Sequence, residues 1–250
     1  MRRARETLGE AETVVVLTGA GVSADSGVPT FRGQGGLWRE HRPEDLATPA
    51  AFARDPRLVW EWYGWRRELV SACAPNAAHL ALARWQEGPR PIHIVTQNVD
   101  GLHRLARDRI RDGAGGSTTG EILELHGSLF RTRCTCCAAV ENSRAPIDAT
   151  SEASLPHCGA CGALLRPDVV WFGEPLDAHV LDRAFRLAAR AEVCLVVGTS
   201  AIVQPAAAVA TEAARAGAAL VEVNPEVTPL SRVARLSLRG RAAEIVPLLV

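Results

Sequence analysis

Short apolar runs alternate with alanine-rich segments of helical length, which predicts an α/β fold built as a Rossmann-like, doubly wound parallel sheet. Two further observations refine this. A strand-like run empties directly into a glycine turn at 19–21, and two Cys-x-x-Cys pairs sit in a stretch with little apolar periodicity. The second feature predicts a small inserted module at 131–168. A chain of 250 residues holds one large core with such a module set into it more readily than two equal domains. The main domain is therefore expected at 1–130 and 169–250, with a helical and loop insertion at about 25–90.

The opening segment, MRRARETLGEAE, runs from basic to acidic with no apolar stretch before a small-residue cleavage site, so no secretory leader is expected. The first buried strand falls at 13–18. Residues 25–50, rich in Gly, Pro and Arg, break the alternation where a plain Rossmann unit would finish its helix, and predict a loop that covers a ligand. Helices are expected at 57–72 and 76–86, then strands at 92–96 and 122–125, with a low-complexity loop, DGAGGSTTG, at 112–120. Beyond the module, a helix at 177–190, a strand at 193–197, a helix at 205–216 and a strand at 219–223 complete the alternation. Such sheets bind ligands at the carboxyl ends of their strands, so chemistry is sought in the residues that follow each one.

Composition narrows the function. Basic and acidic residues balance at 28 each, which gives no electrostatic footprint for nucleic acid. None of the basic residues is lysine, so the chain cannot be its own lysine substrate. No apolar run reaches membrane-spanning length, and a cytoplasmic protein is expected. Seven cysteines is an odd number, and in a reducing compartment the two close pairs favour a metal over disulfides.

Three strand ends and one cysteine set carry the chemical signals. Gly19-Ala20-Gly21-Val22-Ser23-Ala24 is a G-x-G-x-x-A turn, suited to a pyrophosphate facing a helix N-terminus; its bland counterpart is a tight turn with no ligand. A dehydrogenase would next show a strand ending in an acid for the ribose. The chain continues SGVPTFRGQGGLW instead, which argues against hydride transfer. The strand at 92–96 delivers Gln97, Asn98 and Asp100, groups able to bond sugar hydroxyls and a carboxamide, or simply to cap the next helix. The run at 122–125 delivers His126, more often a packing residue in isolation, but able to move protons at a ligand-facing strand end. Cys134, Cys137, Cys158 and Cys161 match a four-thiolate zinc site, closed and therefore structural. Cys136 and His157 flank these ligands as substitutes, while Cys73 and Cys194 read as core.

GAGVSADSGVPTFRG at 19–33, TQNVDGLH at 96–103, LHGSLF at 125–130, the cysteine pairs, VVWFGE at 169–174, GTSAIVQPA at 198–206 and NPE at 224–226 resemble, in order, the signature blocks of sirtuins. The blocks span most of the chain from residue 13 onward. The resemblance implies NAD as co-substrate and one structural zinc ion. Gly19, Ala20, Gly21 and Ser23 would cradle the pyrophosphate, with Asp25 and Trp38 also on the cofactor side. Thr30, Phe31 and Arg32 would close over the nicotinamide ribose, with Phe31 shielding the reactive carbon. Gln97, Asn98 and Val99 would meet the ribose, Asp100 the carboxamide, and Gly198, Thr199, Ser200, Asn224, Pro225, Glu226 and Ala242 the adenosine half.

The implied reaction starts with attack of the acyl-lysine oxygen on the nicotinamide ribose carbon, which expels nicotinamide and leaves an imidate. His126 then deprotonates a ribose hydroxyl that attacks the imidate carbon, and the adduct takes up one water as lysine leaves, giving free lysine and O-acyl-ADP-ribose. Val170, Trp171 and Phe172 would line the acyl tunnel, and a substrate strand would lie between 172–174 and 201–204. Acylated-lysine proteins or peptides are thus the implied partners, met by the enzyme as a monomer.

Tyr63 and Arg66 lie three apart on a helix, where a phenol and a guanidinium can grip one carboxylate, or else pack among Trp60, Trp62 and Trp65. With HRPEDLATPAAF at 41–52 they resemble the class III branch, which removes succinyl, malonyl or glutaryl groups. The loop between Leu105 and Ile122 departs from the family pattern, being longer and richer in glycine. Protein ADP-ribosylation, hydrolysis of NAD by water, and a non-catalytic NAD or ADP-ribose sensor are the rival functions, which mass analysis of the acceptor separates.

Overall fold

Along the chain of the computed structural model, which describes residues 1–29, 43–114 and 119–250, helices and strands alternate with few long connections. Helix α1 (Arg2–Glu10) leads into β1 (Val14–Thr18). Among the described residues, four α-helices follow: α2 (Pro43–Leu46), α3 (Pro49–Arg54), α4 (Pro56–Ser71) and α5 (Ala77–Gln86). Each of the last three starts where its sequence supplies a cap. Thr48 accepts from Ala51 N, Asp55 from Leu58 N, and Asn76 pairs with His79 in a capping box. Then come β2 (Ile92–Thr96), α6 (Leu102–Ala114) and β3 (Ile122–Glu124).

The chain next builds a second sheet from β4 (Gly127–Cys134), β5 (Val140–Asn142) and β6 (Leu165–Val169). It returns through α7 (Ala178–Ala188), β7 (Val193–Val197), α8 (Ala208–Arg215), β8 (Ala219–Val223), β9 (Leu236–Leu238) and α9 (Ala242–Ile245).

The main sheet has the order β3-β2-β1-β7-β8-β9, and every pairing in it is parallel. Alternate residues of each strand enter opposite cores. Val14, Val16, Ile94 and Leu195 face one side, while Val15, Leu17, Val95 and Val196 face the other. This two-sided burial is why the strands read as unbroken apolar runs. The register aligns Thr18 with Thr96 and Val197, Thr96 with Glu124, and Val197 with Val223. Five strands therefore end level, and their loops gather at one edge.

The second sheet is antiparallel, ordered β5-β4-β6. It begins at Gly127, earlier than the module boundary expected from the cysteine spacing, because Gly127 already pairs with Val169. At φ +79°, a Cβ on Gly127 would lie 2.0 Å from Asp168 O, so only glycine turns the chain from one sheet into the other here. Buried ion pairs span the same junction. Arg131 reaches Glu124 on β3 at 2.7 Å and Asp168 on β6 at 2.8 Å. A third core, with Phe52, Trp60, Trp62, Tyr63, Phe130 and Trp171, joins α3 and α4 to the second sheet.

The sequence did not reveal α1, α6 or β9. In α1 only Ala4 and Leu8 are buried, too few for a visible stripe, and β9 is a three-residue edge strand. Helix α6 occupies the start of the expected low-complexity loop, up to Ala114. Among the described residues, no helix is long and apolar enough to cross a membrane.

Candidate active site

Strand β1 crosses over toward β2 and strand β7 toward β8, so a crevice opens between the loops after β1 and β7. Gly21 N donates to Gly198 O at 2.8 Å, and a Cβ on Gly198 would lie 2.4 Å from Val22 N. These glycines thus let two backbones touch, a packing duty the motif alone does not disclose. The helix N-terminus expected after Gly19 is not there. Two single 3-10 turns, Ala20–Val22 and Ala24–Ser26, take its place and end at Gly27 with φ +86°. Pro29 explains the stop, since it disfavours helical geometry at Val28. A phosphate here would meet loop N–H groups rather than a helix dipole.

Beneath this turn lies a closed polar network. Ser23 Oγ donates to Asp100 Oδ2 at 2.7 Å, which uses its only proton. It accepts from Asn98 Nδ2 at 3.1 Å, so His79 Nε2, at 3.3 Å, must also be a donor. His79 Nδ1 is then the acceptor for Asn76 N at 3.4 Å, which defines a neutral ring. Thr18 Oγ1 donates to Thr96 Oγ1 at 2.8 Å and so accepts from His103 Nε2 at 3.0 Å. His103 Nδ1 is buried with no partner among the described residues, and burial disfavours a second proton there. The two imidazoles stand 4.7 Å apart. Asp100, 6% exposed, has its carboxyl pushed above the usual range by burial, against the pull of Leu102 N–H and Ser23.

Burial pushes His79 down to about 4 and His103 well below 6.5. The unfolded chain therefore binds more protons as pH falls below 6.5, so the stability from these neutral rings is complete above that value and lost toward pH 4. We expect urea denaturation to show a loss of about 2 kcal/mol per ring between pH 7 and pH 5, so that His79→Gln, which removes one of the two, roughly halves it. A flat stability profile over that range would contradict the neutral pair.

His126 sits half-buried in the turn between β3 and β4. Its Nδ1 lies 2.9 Å from the carbonyl of Gln97, which can only accept, so Nδ1 carries the proton and Nε2 the lone pair. Burial lowers its pKa below 6.5, partly offset by that carbonyl. The ring is a neutral base at pH 7.

The remaining strand ends are tied together. Gln97 Nε2 donates to Thr199 Oγ1 at 3.0 Å, and Asn224 Nδ2 to Thr199 O at 2.7 Å. Ser200, Pro225 and Glu226 are exposed at the same edge, and Ala20 is half-buried there. Asp25 pairs with Arg241 at 3.1 Å, just before α9. Ala242 and Val99 are buried in core clusters, so their side chains are committed to packing. Thr30, Phe31, Arg32 and Trp38 lie outside the described residues.

A second group of side chains belongs to α4 and the segment after β6. Tyr63 OH accepts from Trp171 Nε1 at 2.9 Å and also bonds Arg66, whose guanidinium is 4.8 Å from the Trp62 ring centre. Tyr63 and Arg66 are 1% and 5% exposed, so a cation is held inside an aromatic wall. Burial lowers the Arg66 pKa, and the interactions with Tyr63 and Asp100 pull the other way. Val170 is half-buried, and Phe172 is exposed with its N–H on Ala47 O.

At the far end of the second sheet, the sulfurs of Cys134, Cys137, Cys158 and Cys161 lie within 4.8 Å of one another. Neighbouring pairs are 3.4 and 3.7 Å apart. A zinc–sulfur bond of about 2.3 Å gives a tetrahedron with edges of about 3.8 Å, so the set fits zinc and is too open for disulfides. Cys136 and Cys137 N–H groups point at Cys134 Sγ, which favours the thiolate a metal requires. With about 3.3 Å per strand residue, β4 carries this cluster on the order of 20 Å from His126.

The sequence did not single out His79 as a site residue. Its signal was Asn76 three residues before it, a helix-start pattern that says nothing of Ser23.

A model of the Sir2 family matches residues 19–205. The chain belongs to the Sir2 family. Over 98% of its length and 94% of the relative's, this Sir2 protein is 49% identical to NAD-dependent protein deacylase 1 of Archaeoglobus fulgidus. A solved Sir2 homologue mutant in complex with ADP-ribose superimposes with a TM-score of 0.90 at 46% identity, covering 100% of this chain and 94% of that one. A Sir2–p53 peptide–NAD complex gives 0.84 at 30% identity, over 100% and 96% of the two chains.

Proposed function

We propose that this Sir2 protein removes acyl groups from protein lysines with NAD as co-substrate, releasing nicotinamide and O-acyl-ADP-ribose, and accepts acetyl and acidic acyl chains such as succinyl and malonyl. The observation that carries the reading is the tautomer of His126, which presents a basic Nε2 at the ligand-bearing edge of the sheet. The deacylase name of the A. fulgidus relative and the ADP-ribose and peptide–NAD complexes of the structural neighbours support it.

The donor set suits a dinucleotide. Gly19, Ala20, Gly21 and Ser23 would hold the pyrophosphate; Gln97, Asn98 and Asp100 the nicotinamide half; Gly198, Thr199, Ser200, Asn224 and Glu226 the adenosine half. NAD would supply a ribose carbon made electrophilic by its nicotinamide leaving group. His126 Nε2 would take a proton from a sugar hydroxyl, and the Gln97 carbonyl would steady the imidazolium that forms. The Ser23–Asp100–Asn98 network would hold its groups in one arrangement, so that little reorganisation is needed during reaction. Phe172 and Ile202, 50% and 56% exposed, would flank a peptide added as a strand, while Val170 and Trp171 would exclude water from the acyl chain. The cysteine cluster would hold one structural zinc, in keeping with a reducing, cytoplasmic setting.

Tyr63 and Arg66 would read the acyl terminus. The Tyr63 oxygen accepts from Trp171, so its own O–H can donate to a carboxylate beside the guanidinium. The test is nicotinamide release from acetyl and succinyl versions of one peptide, with mass analysis of the products. Release dependent on an acylated peptide is expected, and none from either would reject the deacylase; ADP-ribose on the peptide would indicate transfer instead. Arg66→Met should cost about 10- to 100-fold in kcat/KM for succinyl and much less for acetyl, the worth of a charge-assisted hydrogen bond. Equal losses would remove the acidic pocket from the proposal.

A further inference from the structure

Glu222 points from the middle of β8 into a site 1% exposed, yet no step proposed above uses it. Its carboxylate collects an unusual set of donors. Thr228 and Ser231 hydroxyls donate from the turn after β8, the latter at 2.6 Å, and Ser237 donates from β9 at 2.9 Å. The Arg239 guanidinium is 3.3 Å away. Burial opposes ionisation, but the hydroxyls of Ser231, Thr228 and Ser237 together with Arg239 outweigh it and hold the carboxyl below the usual range.

These donors frame the residues assigned above to adenosine. Arg239 also donates to Glu226 O at 2.6 Å and to Ser231 Oγ at 2.8 Å. Asn224 N donates to Leu238 O at 3.1 Å, and its side chain reaches Thr199 O. One carboxylate thus ties together the turn after β8, strand β9 and, through Asn224, the loop after β7. We infer that Glu222 is a positioning residue for the nucleotide, holding Asn224 and Glu226 in register with Gly198 and Thr199 so that the adenosine half meets a preformed edge. The inference rests on the dinucleotide reading. It predicts an effect on nucleotide affinity that leaves the chemical step, at His126, untouched.

The test is calorimetric titration with ADP-ribose alongside steady-state kinetics on Glu222→Gln, which keeps the side-chain shape but presents an N–H where donors converge. We expect the ADP-ribose Kd and the KM for NAD to rise together by about 10- to 100-fold, with kcat at saturating NAD and the peptide KM within about 3-fold. Glu222→Asp, which keeps the acceptor, should recover part of the affinity. If Glu222→Gln does not fold, the pair Ser231→Ala with Ser237→Ala, which removes two donors at accessible positions, should raise both constants by about 5- to 10-fold. Failure of the unaltered protein to bind ADP-ribose would reject the nucleotide reading itself. Normal ADP-ribose binding in folded variants, or a fall in kcat at constant KM, would overturn the role of Glu222 alone.

Discussion

Replacing His126 with alanine should lower kcat by about 10²- to 10⁴-fold, the usual worth of a positioned general base, while ADP-ribose affinity changes only a few-fold. The two readouts separate because, among the described residues, the ring bonds to the Gln97 carbonyl, whereas the groups proposed to hold the nucleotide are tied to one another through Ser23, Thr199 and Asn224. The pH dependence gives an independent check. A base must be neutral to act, and burial lowers the His126 pKa below 6.5 despite the opposing carbonyl. The acid limb of kcat/KM should therefore fall below pH 6.5, with activity present above it and lost as pH decreases. An acid limb above 6.5, or an alanine variant with near-normal turnover, would assign the proton transfer to another group.

Much of the fold is legible in the sequence alone. Buried parallel strands leave a signature that needs no partner information, because both faces are covered; the runs at 92–96, 193–197 and 219–223 therefore match β2, β7 and β8 residue for residue. What the sequence could not carry was pairing across distance. Nothing local links His79 to Ser23, or Glu222 to Ser231, Ser237 and Arg239, since each is a polar residue whose purpose depends on a segment brought in by the sheet. The glycine turn shows the opposite error. Its spacing suggested a ligand-facing helix, whereas Gly19, Gly21 and Gly198 are required by loop-to-loop contact, and only two 3-10 turns form before Gly27.

Removing the metal, by chelation or by Cys158→Ala, should melt the cysteine end of the second sheet while the six-stranded sheet persists. The cysteine end has little apolar packing of its own, although Leu155, Ile147 and Leu164 lean on the third core. Its own apolar cluster comprises Cys134, Cys158 and Leu165 with two partly buried alanines, and all three residues of β5 are exposed. A four-thiolate zinc contributes apparent binding energies of about 10–16 kcal/mol in small domains, more than this cluster can supply by burial. Hydrogen exchange should show protection lost first at 134–164 and retained in β1, β2 and β7. Activity should then fall as a consequence of structure, because β4 and β6 anchor both sides of the His126 turn through Gly127↔Val169 and the Arg131 ion pairs. The order of events is what discriminates. Turnover lost while exchange at 134–164 stays protected would place the metal in the chemistry, and a purified protein with well under one zinc per chain, yet fully protected there, would show that the four sulfurs hold without it.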